Sequence, residues 1–266
     1  MATILYSNDS SYYSMIARLV LSEKEVKYEM RKIDIHIKME QFTPSYIKIQ
    51  PNMTVPTLVC DNVIIDDSHK ILFFVNEHFS GIDLYPTADA IAIKKSLDEH
   101  YKFSIEDLTM GNAMRKSPVA RFALGRGLKR ASDRLRILMT TNPDFKNICE
   151  QKLRLEDERR RLILSSENNY VATYQQAVKL CDMLEAELIQ HEFAASNSYS
   201  LADVVWTVFI ARLHMIKFDS LVIERKHLNS YWQRMTMRYS YQKADLWTKM
   251  KPKMLIKIMF ALIFTK

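Results

Sequence analysis

The sequence predicts a small α+β domain followed by an all-helical domain. Over the first third of the chain, short apolar runs and helical periodicities alternate in the order β-α-β-α-β-β-α. From residue 87 onward, apolar residues recur almost only at helical spacing. Only 4 glycines and 7 prolines occur in 266 residues, which favours helix and disfavours an all-β fold with many tight turns.

The N-terminal domain is predicted to cover 1–81 and to begin with a buried strand. The run TILYS at 3–7 is short and largely apolar, and the polar letters NDSS that follow offer helix-capping side chains. A helix is expected from about 12 to 24, a strand within 26–33, where apolar residues alternate, and a short irregular helix at 43–49.

A β-hairpin and a capped helix complete the first domain. The apolar runs 57–60 and 63–65 flank Asp61-Asn62, which is typical of a tight turn between two strands. Asp67 and Ser68 then precede apolar residues at helical spacing, so they are candidates for the N-cap.

The helical domain is predicted to cover 88–250, after a linker at 82–87. We expect one long amphipathic helix over 88–110, a basic helix over 115–139 interrupted near its two glycines, and a helix over 170–190. Ser200 and Asp203 stand three apart before an apolar run, as in a capping box. A charged insertion is expected at about 111–170.

The positive charge of the chain is concentrated in one segment. Residues 115–136 contain one acidic residue and eight basic ones, and therefore carry the whole net charge of +7; the basic residues are Arg115, Lys116, Arg121, Arg126, Lys129, Arg130, Arg134 and Arg136. This pattern is typical of a solvated helical face, and it could also bind nucleic acid, an anionic partner or a membrane surface. No nucleic-acid-binding motif accompanies it.

The cysteines, the N-terminus and the C-terminal tail bear on metal binding, cellular location and membrane contact. The three cysteines are far apart and form no C-x-x-C pair or metal pattern, so we expect reduced thiols and no metal site. The N-terminus lacks the pattern of a secretory signal, so we expect a cytoplasmic protein. The tail, 251–266, holds an apolar run that is too short to span a bilayer, and it could pack on the protein, on a partner or on a membrane surface.

Four stretches carry a resemblance to glutathione transferases. LYSNDSSYYSMIARLVL, EQFTPSYIKIQPNMTVPTLV and IDDSHKILFFVNEHF resemble the N-terminal domain of that family, and NSYSLADVVWTVFIARL resembles its helical domain. The resemblance implies a thioredoxin-like first domain, glutathione as co-substrate and a homodimer. The pattern resembles most closely the ganglioside-induced differentiation-associated protein-like branch, through HLNSYWQRMTMRYSYQKADLW and the long charged stretch. Zeta-class and theta-class enzymes and stringent starvation protein A share parts of it.

The resemblance also implies roles for individual residues. Ser11 aligns with the serine that stabilises the glutathione thiolate, and Ser10, Ser14 and Tyr6 are alternatives. Gln41 is similar to the residue that holds the glycyl carboxylate, Val55 to the backbone contact of the cysteinyl part, Pro56 to a cis-proline, and the pair Asp67-Ser68 to the γ-glutamyl site. From their positions, Tyr12, Tyr101 and Met110 are expected to line the pocket of the electrophile.

Two functions are compatible with these observations. The first is a detoxifying glutathione transferase that uses the thiolate against a hydrophobic electrophile. The alternative is an adaptor or regulatory protein that keeps the fold without catalysis and binds a protein, membrane or nucleic-acid partner. The irregular loop NDSSYYS, a threonine at position 54 where many members have lysine, and the basic insertion motivate this alternative.

Overall fold

A four-stranded mixed sheet forms the centre of the N-terminal region in the computed structural model, which describes residues 2–165, 167–252, 256 and 261. The elements are β1 (Thr3–Ser7), α1 (Tyr12–Glu23), β2 (Glu29–Lys32), a 3-10 turn (Glu40–Phe42), α2 (Pro44–Ile47), β3 (Thr57–Cys60), β4 (Val63–Ile65) and α3 (Ser68–His78). The strand order is β2-β1-β3-β4, with β1 parallel to β2 and antiparallel to β3. This arrangement confirms the predicted thioredoxin-like domain.

Helices account for the regular structure described after α3. They are α4 (Ala90–Tyr101), α5 (Ile105–Lys116), α6 (Pro118–Thr141), α7 (Lys146–Ser165), α8 (Glu167–Gln190), α9 (Leu201–Met215), α10 (Ser220–Ile223), α11 (Lys226–Met237) and α12 (Tyr239–Lys243). The predicted all-helical second domain is therefore confirmed.

Two expectations for the helical domain were wrong. The segment 88–110 is two helices, because the Ser104 side chain caps a new helix by accepting a hydrogen bond from the Asp107 N–H at 3.4 Å. The basic helix α6 runs for 24 residues without a break at Gly125 or Gly127. A glycine inside a helix costs only about 1 kcal/mol, a cost that tertiary packing can offset.

Two elements of the first domain are shorter than expected. β2 covers only Glu29–Lys32, and its four residues are all exposed, because this strand lies at the edge of the sheet and pairs only with β1. The helix expected at 43–49 is a single turn, α2, that follows a 3-10 turn.

The main core is centred on α9. All but one of its 15 residues are buried, and its N-terminus has the predicted capping box. The Asp203 carboxylate accepts hydrogen bonds from the Ser200 N–H (2.8 Å) and hydroxyl (3.0 Å), the Ala194 N–H (2.9 Å) and the Tyr231 hydroxyl (2.9 Å). Asp203 therefore joins α9, α11 and the loop before α9.

A second, smaller apolar cluster lies between the insertion and the first domain. Helices α6 and α7 pack on each other as an antiparallel hairpin, here called the α6–α7 hairpin (residues 118–165). Its buried residues Leu135, Leu138 and Cys149 contact the segment around α2 through a set of apolar side chains: Met39, Phe42, Ile47 and Met53. The insertion is thus attached to the segment that precedes the cis-proline loop.

The remaining predictions concern cysteines and the tail. All three cysteines are buried and free. Among the described residues, no helix combines the length and the apolar character needed to cross a membrane. The prediction for the apolar tail falls largely outside the described residues; of that run, Ala261 is buried and its carbonyl accepts a hydrogen bond from Arg130 at 3.4 Å.

Candidate active site

Three segments meet at one edge of the sheet. Tyr6 of β1 pairs with Thr57 of β3, so the chain just before Thr57 lies beside the loop that leaves β1. Leu58 pairs with Ile65 of β4, which leads directly into α3. The sheet register therefore brings together the loop 8–11, the residues before β3 and the N-terminus of α3.

The peptide bond between Val55 and Pro56 is cis, as the resemblance implied. β3 begins only at Thr57, so the backbone of Val55 takes part in none of the strand pairings of the described sheet. Its N–H and carbonyl groups are thus positioned to pair with an extended peptide ligand.

A buried glutamine that sequence reasoning missed connects this loop to α3. The side-chain amide of Gln50, which is fully buried, donates to the Thr57 hydroxyl (3.0 Å) and to the Asp66 carbonyl (2.7 Å). The hydroxyl of Tyr46 donates to the Thr54 carbonyl at 2.7 Å. These bonds fix the position of the cis-proline loop relative to the start of α3.

Asp67 is the N-cap of α3. Its carboxylate accepts hydrogen bonds from the N–H groups of His69 (2.8 Å) and Lys70 (3.2 Å), so part of its hydrogen-bonding capacity is used within the helix. Ser68 is buried, and its hydroxyl lies 3.2 Å from the hydroxyl of Tyr101 on α4. The predicted γ-glutamyl pair is therefore at a helix N-terminus and at the boundary between the domains, where a carboxylate is favoured.

Ser11 occupies the N-cap of α1. Its hydroxyl oxygen accepts a hydrogen bond from the Ser14 N–H at 3.3 Å, and this bond leaves the hydroxyl proton available to a ligand. The residue is half-buried, at the positive end of the helix dipole.

The alternatives to Ser11 have other partners. The Ser10 hydroxyl donates to the Asn8 side chain and lies 2.8 Å from His36 Nε2, and the fully buried Ser14 hydroxyl accepts from the Asn8 N–H. The Tyr6 hydroxyl accepts from Arg31 at 3.1 Å. Geometry therefore favours Ser11 among the four candidates.

Gln41 is buried and incompletely hydrogen-bonded. Its Nε2 donates to the Ile35 carbonyl at 3.4 Å, and its Oε1 has no hydrogen-bond partner in the described part of the chain. A buried amide oxygen without a partner is costly. The amide nitrogen uses only one of its two N–H groups in the bond to the Ile35 carbonyl, and the second can donate to a carboxylate.

The three residues expected in the electrophile pocket have different environments. Tyr12 is only 3% exposed, and its hydroxyl pairs with His100 Nε2 in the core between the domains, so the structure places it behind the site surface. Tyr101 and Met110 are half-buried. The ring of Tyr13, which sequence reasoning did not select, lies 6.5 Å from the Tyr101 ring with an angle of 11° between the planes.

An ion pair between α5 and the insertion adjoins this aromatic pair. Glu106 of α5 pairs with Arg159 of α7, and both act electrostatically on Tyr13. Met110 follows Glu106 by four residues and therefore lies on the same face of α5. Burial, followed by the nearby Glu106 charge, raises the pKa of Tyr13 to about 12, so its hydroxyl stays protonated at neutral pH.

Many side chains of the basic segment have intramolecular partners. Lys129 and Arg136 both pair with Asp133, and Arg130 donates to the Ile37 carbonyl at 3.4 Å. The Arg115 guanidinium lies 4.9 Å from the centre of the Tyr170 ring. The segment is therefore partly neutralised and engaged by the fold, and not a uniform free cationic surface.

Comparison with known proteins gives matches at both ends of the chain. Residues 10–78 match the family model for the glutathione S-transferase N-terminal domain, and residues 162–238 match that for the C-terminal domain. Tetrachloro-P-hydroquinone reductive dehalogenase of Sphingobium chlorophenolicum is 28% identical over 253 residues, which are 90% of this chain and 94% of that protein. Glutathione S-transferase TCHQD of Arabidopsis thaliana is 25% identical over 249 residues, 90% of this chain and 88% of that protein.

Solved structures show the same fold. The crystal structure of beta-etherase LigF from Sphingobium sp. strain SYK-6 has a TM-score of 0.69 with 20% identity, and the match covers 92% of this chain and 98% of that one. Residues 79–161 lie between the two family-model matches and are covered by neither. They include the α6–α7 hairpin up to residue 161. The two full-length relatives, in contrast, are matched over most of the chain.

Proposed function

Because this chain belongs to the glutathione transferase family, with glutathione as co-substrate, we propose that Ser11 stabilises the glutathione thiolate for attack on an electrophilic small molecule. The observation that carries the proposal is the Ser11 hydroxyl, which lies at the N-terminus of α1 on the sheet edge that also holds the cis Val55-Pro56 bond. A hydroxyl donor and a helix N-terminus both favour the charged form of a neighbouring thiol.

The chemical step needs little else from the protein. The thiolate is the nucleophile; it forms a carbon–sulfur bond as the electrophile releases its leaving group, or as the electron pair of an activated double bond takes up a proton. Lowering the thiol pKa raises the fraction of thiolate at neutral pH, and each tenfold gain in rate corresponds to about 1.4 kcal/mol.

The rest of the glutathione site follows the sheet edge. The Val55 backbone would pair with the cysteinyl part, with Pro56 in cis to expose it, and Asp67 and Ser68 would bind the γ-glutamyl ammonium and carboxylate groups. The second N–H of the Gln41 amide supports its assignment to the glycyl carboxylate. Both capping hydrogen bonds of Asp67 end on Oδ1. Because a carboxylate can accept several hydrogen bonds, the Asp67 side chain can also bind an ammonium ligand.

The electrophile is assigned to the face formed by Tyr13, Tyr101 and Met110. The near-parallel tyrosine rings favour an aromatic electrophile, because aromatic groups stack against each other. The name of the relative that acts on tetrachlorohydroquinone supports a halogenated aromatic substrate. Tyr12, from its buried position, would support Tyr13 from behind.

The remaining assignments are also proposals. Exposed apolar side chains on β4 and α4 (Val63, Ile64 and Ile91) support a homodimer that would cover them. A cytoplasmic location, a role in detoxification and membership of the ganglioside-induced differentiation-associated protein-like branch stay predictions, as do the domain boundaries 1–81 and 88–250.

The variant Ser11→Ala tests the mechanism. We expect kcat/KM toward an activated chloroaromatic substrate to fall about 10–100-fold, because one hydroxyl donor to the thiolate is lost. Ser11→Thr, which keeps the hydroxyl, is the matched control and should retain most of the activity. Unchanged turnover in Ser11→Ala, or an equal loss in Ser10→Ala, would mean that another group activates the thiol.

Calorimetric titration of the wild-type protein with glutathione separates the enzyme from the alternative. Binding below millimolar concentration is expected for a transferase. If no heat of binding appears at millimolar glutathione, the adaptor function becomes the better explanation, with the basic segment as the first surface to test for a partner.

A further inference from the structure

The loop that carries Ser11 is held by two buried arginines from different domains. Arg18 of α1 donates to the carbonyls of Asn8 and Asp9, both at 3.2 Å. Arg212 of α9 donates from Nη2 to the carbonyl of Ser10 at 2.8 Å. Three successive carbonyls of the loop therefore accept hydrogen bonds from guanidinium groups.

The peptide between Ser10 and Ser11 is fixed at both of its polar ends. Its carbonyl accepts from Arg212, and its N–H donates to the Asn8 carbonyl at 3.2 Å. The Asn8 carbonyl also accepts from Arg18. Rotation of this peptide plane would break both of its hydrogen bonds. The arginines therefore restrict the backbone conformation at Ser11, and with it the direction of the Ser11 side chain.

Arg212 is placed for this task by the core helix of the second domain. Its side chain is 5% exposed, and its guanidinium lies 5.5 Å from the centre of the Tyr12 ring, which in turn pairs with His100. The Nε of Arg212 has no partner in the part of the chain that the structure describes. Burying a guanidinium with an unsatisfied N–H is costly, which indicates a role beyond packing.

The charge state of Arg212 is compatible with such a role. Burial lowers the pKa of Arg212 to about 10, so it remains charged at neutral pH. The titratable groups that act on it electrostatically are Tyr12 and Tyr13 of α1 and Glu106 of α5. Burial raises the pKa of both tyrosines, so neither hydroxyl is ionised near pH 7.

We propose that Arg212 is a positioning residue for thiolate formation: by holding the Ser10 carbonyl, it aims the Ser11 hydroxyl at the glutathione sulfur. The core helix of the helical domain thereby sets the acidity of a thiol bound to the other domain. The inference rests on the proposed role of Ser11. Hydrogen bonds to a charged donor are stronger than neutral ones, so one such bond can hold a short loop.

The test is the pKa of the bound glutathione thiol, measured from the ultraviolet absorbance of the thiolate as a function of pH in the full-length protein. In Arg212→Met we expect this pKa to rise by about one unit, and kcat/KM at neutral pH to fall about tenfold, since one pKa unit is a factor of 10 in thiolate. The dissociation constant of glutathione should change less than about threefold, because its binding groups are untouched.

Arg225→Met is the matched control. Arg225 also donates to a backbone carbonyl (Leu221, 2.7 Å) and to a carboxylate (Asp182), and it lies on α10–α11, away from the loop. This variant should leave the thiol pKa unchanged even if it lowers the melting temperature. A lower melting temperature in Arg212→Met with an unchanged thiol pKa would overturn the proposal, because Arg212 would then be structural only.

Two further variants keep the outcomes distinct. If Arg212→Met does not fold, Arg212→Lys decides, since the shorter ammonium side chain keeps the charge without reaching the Ser10 carbonyl in the same geometry; a wild-type thiol pKa in this variant would overturn the proposal. If Ser11→Ala raises the thiol pKa and Arg212→Met does not, only the role of Arg212 fails. If neither variant raises it, the proposed function of Ser11 fails as well.

Discussion

Helix α9 and the α6–α7 hairpin both connect the helical domain to the thioredoxin-like domain, and they do so by different physical means. α9 is buried over nearly its whole length and begins with the capping box of Ser200 and Asp203. It contacts the Ser11 loop through one charged hydrogen bond, from Arg212 to the Ser10 carbonyl. The hairpin contacts the segment around α2 through a small apolar cluster and the hydrogen bond from Arg130 to the Ile37 carbonyl. It contacts α5 through the Arg159–Glu106 ion pair, and many of its other residues are charged.

The difference indicates a division of tasks. A fully buried helix with a satisfied polar network has essentially one arrangement, which suits the precise direction of a catalytic hydroxyl. A hairpin held by a small apolar cluster and a few half-exposed polar contacts has less buried surface to stabilise it and opens at lower free energy. We therefore expect α9 to set global stability and the hairpin to set local opening beside the glutathione site.

The largest effect is expected for Asp203→Ala. The substitution removes the acceptor of four hydrogen bonds and leaves buried donors on Ala194, Ser200 and Tyr231 without a partner. We expect the free energy of unfolding, measured in urea, to fall by about 3–5 kcal/mol. A loss below about 1 kcal/mol would show that the network does not stabilise the domain and would remove one side of the comparison.

A smaller and more local effect is expected for Leu135→Ala. Leu135 is fully buried in the cluster between the hairpin and α2, so truncation should cost about 2–4 kcal/mol of hairpin stability. Hydrogen exchange should show faster opening of α6 and α7 with α9 still protected. Ile137→Ala, on the same helix but 55% exposed, is the control and should change stability by less than about 0.5 kcal/mol. Uniformly faster exchange, including α9, would mean that the hairpin and the core form one cooperative unit.

The same contrast explains what could be predicted from sequence. The capping box of α9 is local: Ser200 and Asp203 stand at fixed spacing before an apolar run, so the helix start could be predicted, and so could the hairpin turn at Asp61-Asn62. The cap of α1 could also be predicted locally, from the polar residues NDSS. The cis-proline and the proposed catalytic role of Ser11 followed from family resemblance, because their meaning depends on the fold.

The contacts that tie the site together could not be predicted in this way. Arg212 and Ser10 are 202 residues apart in the sequence. Gln50 donates to the Asp66 carbonyl from the other side of the β3–β4 hairpin. Local periodicity therefore predicts neither contact. The sequence offered two signals for these contacts: Arg212 interrupts the apolar pattern of α9, and Gln50 is a polar residue directly before Pro51. The burial of Tyr12 likewise involves a contact with His100, in another domain.

The smallest effect expected is the pH dependence of stability that Asp203 contributes. Burial raises the pKa of Asp203 to about 6 despite its hydrogen bonds, whereas an unfolded aspartate titrates near 3.9. Between about pH 6 and pH 4 the native state therefore binds more protons than the unfolded state, so the free energy of unfolding rises as the pH falls through this window. The gain is at most about 2–3 kcal/mol, because the two pKa values differ by about two units and each unit corresponds to about 1.4 kcal/mol.

Comparison of the wild-type protein with Asp203→Asn isolates this contribution, because every other titrating group is common to both. Denaturation in urea at pH 7 and pH 4.5 should show that the free energy of unfolding of the wild-type protein, minus that of Asp203→Asn, is larger at the lower pH. If this signed difference is smaller at pH 4.5 than at pH 7, the pKa of Asp203 lies below that of the unfolded chain. The hydrogen bonds of the capping box would then outweigh burial, and α9 would be joined to the rest of the domain by an ionised carboxylate that its donors favour.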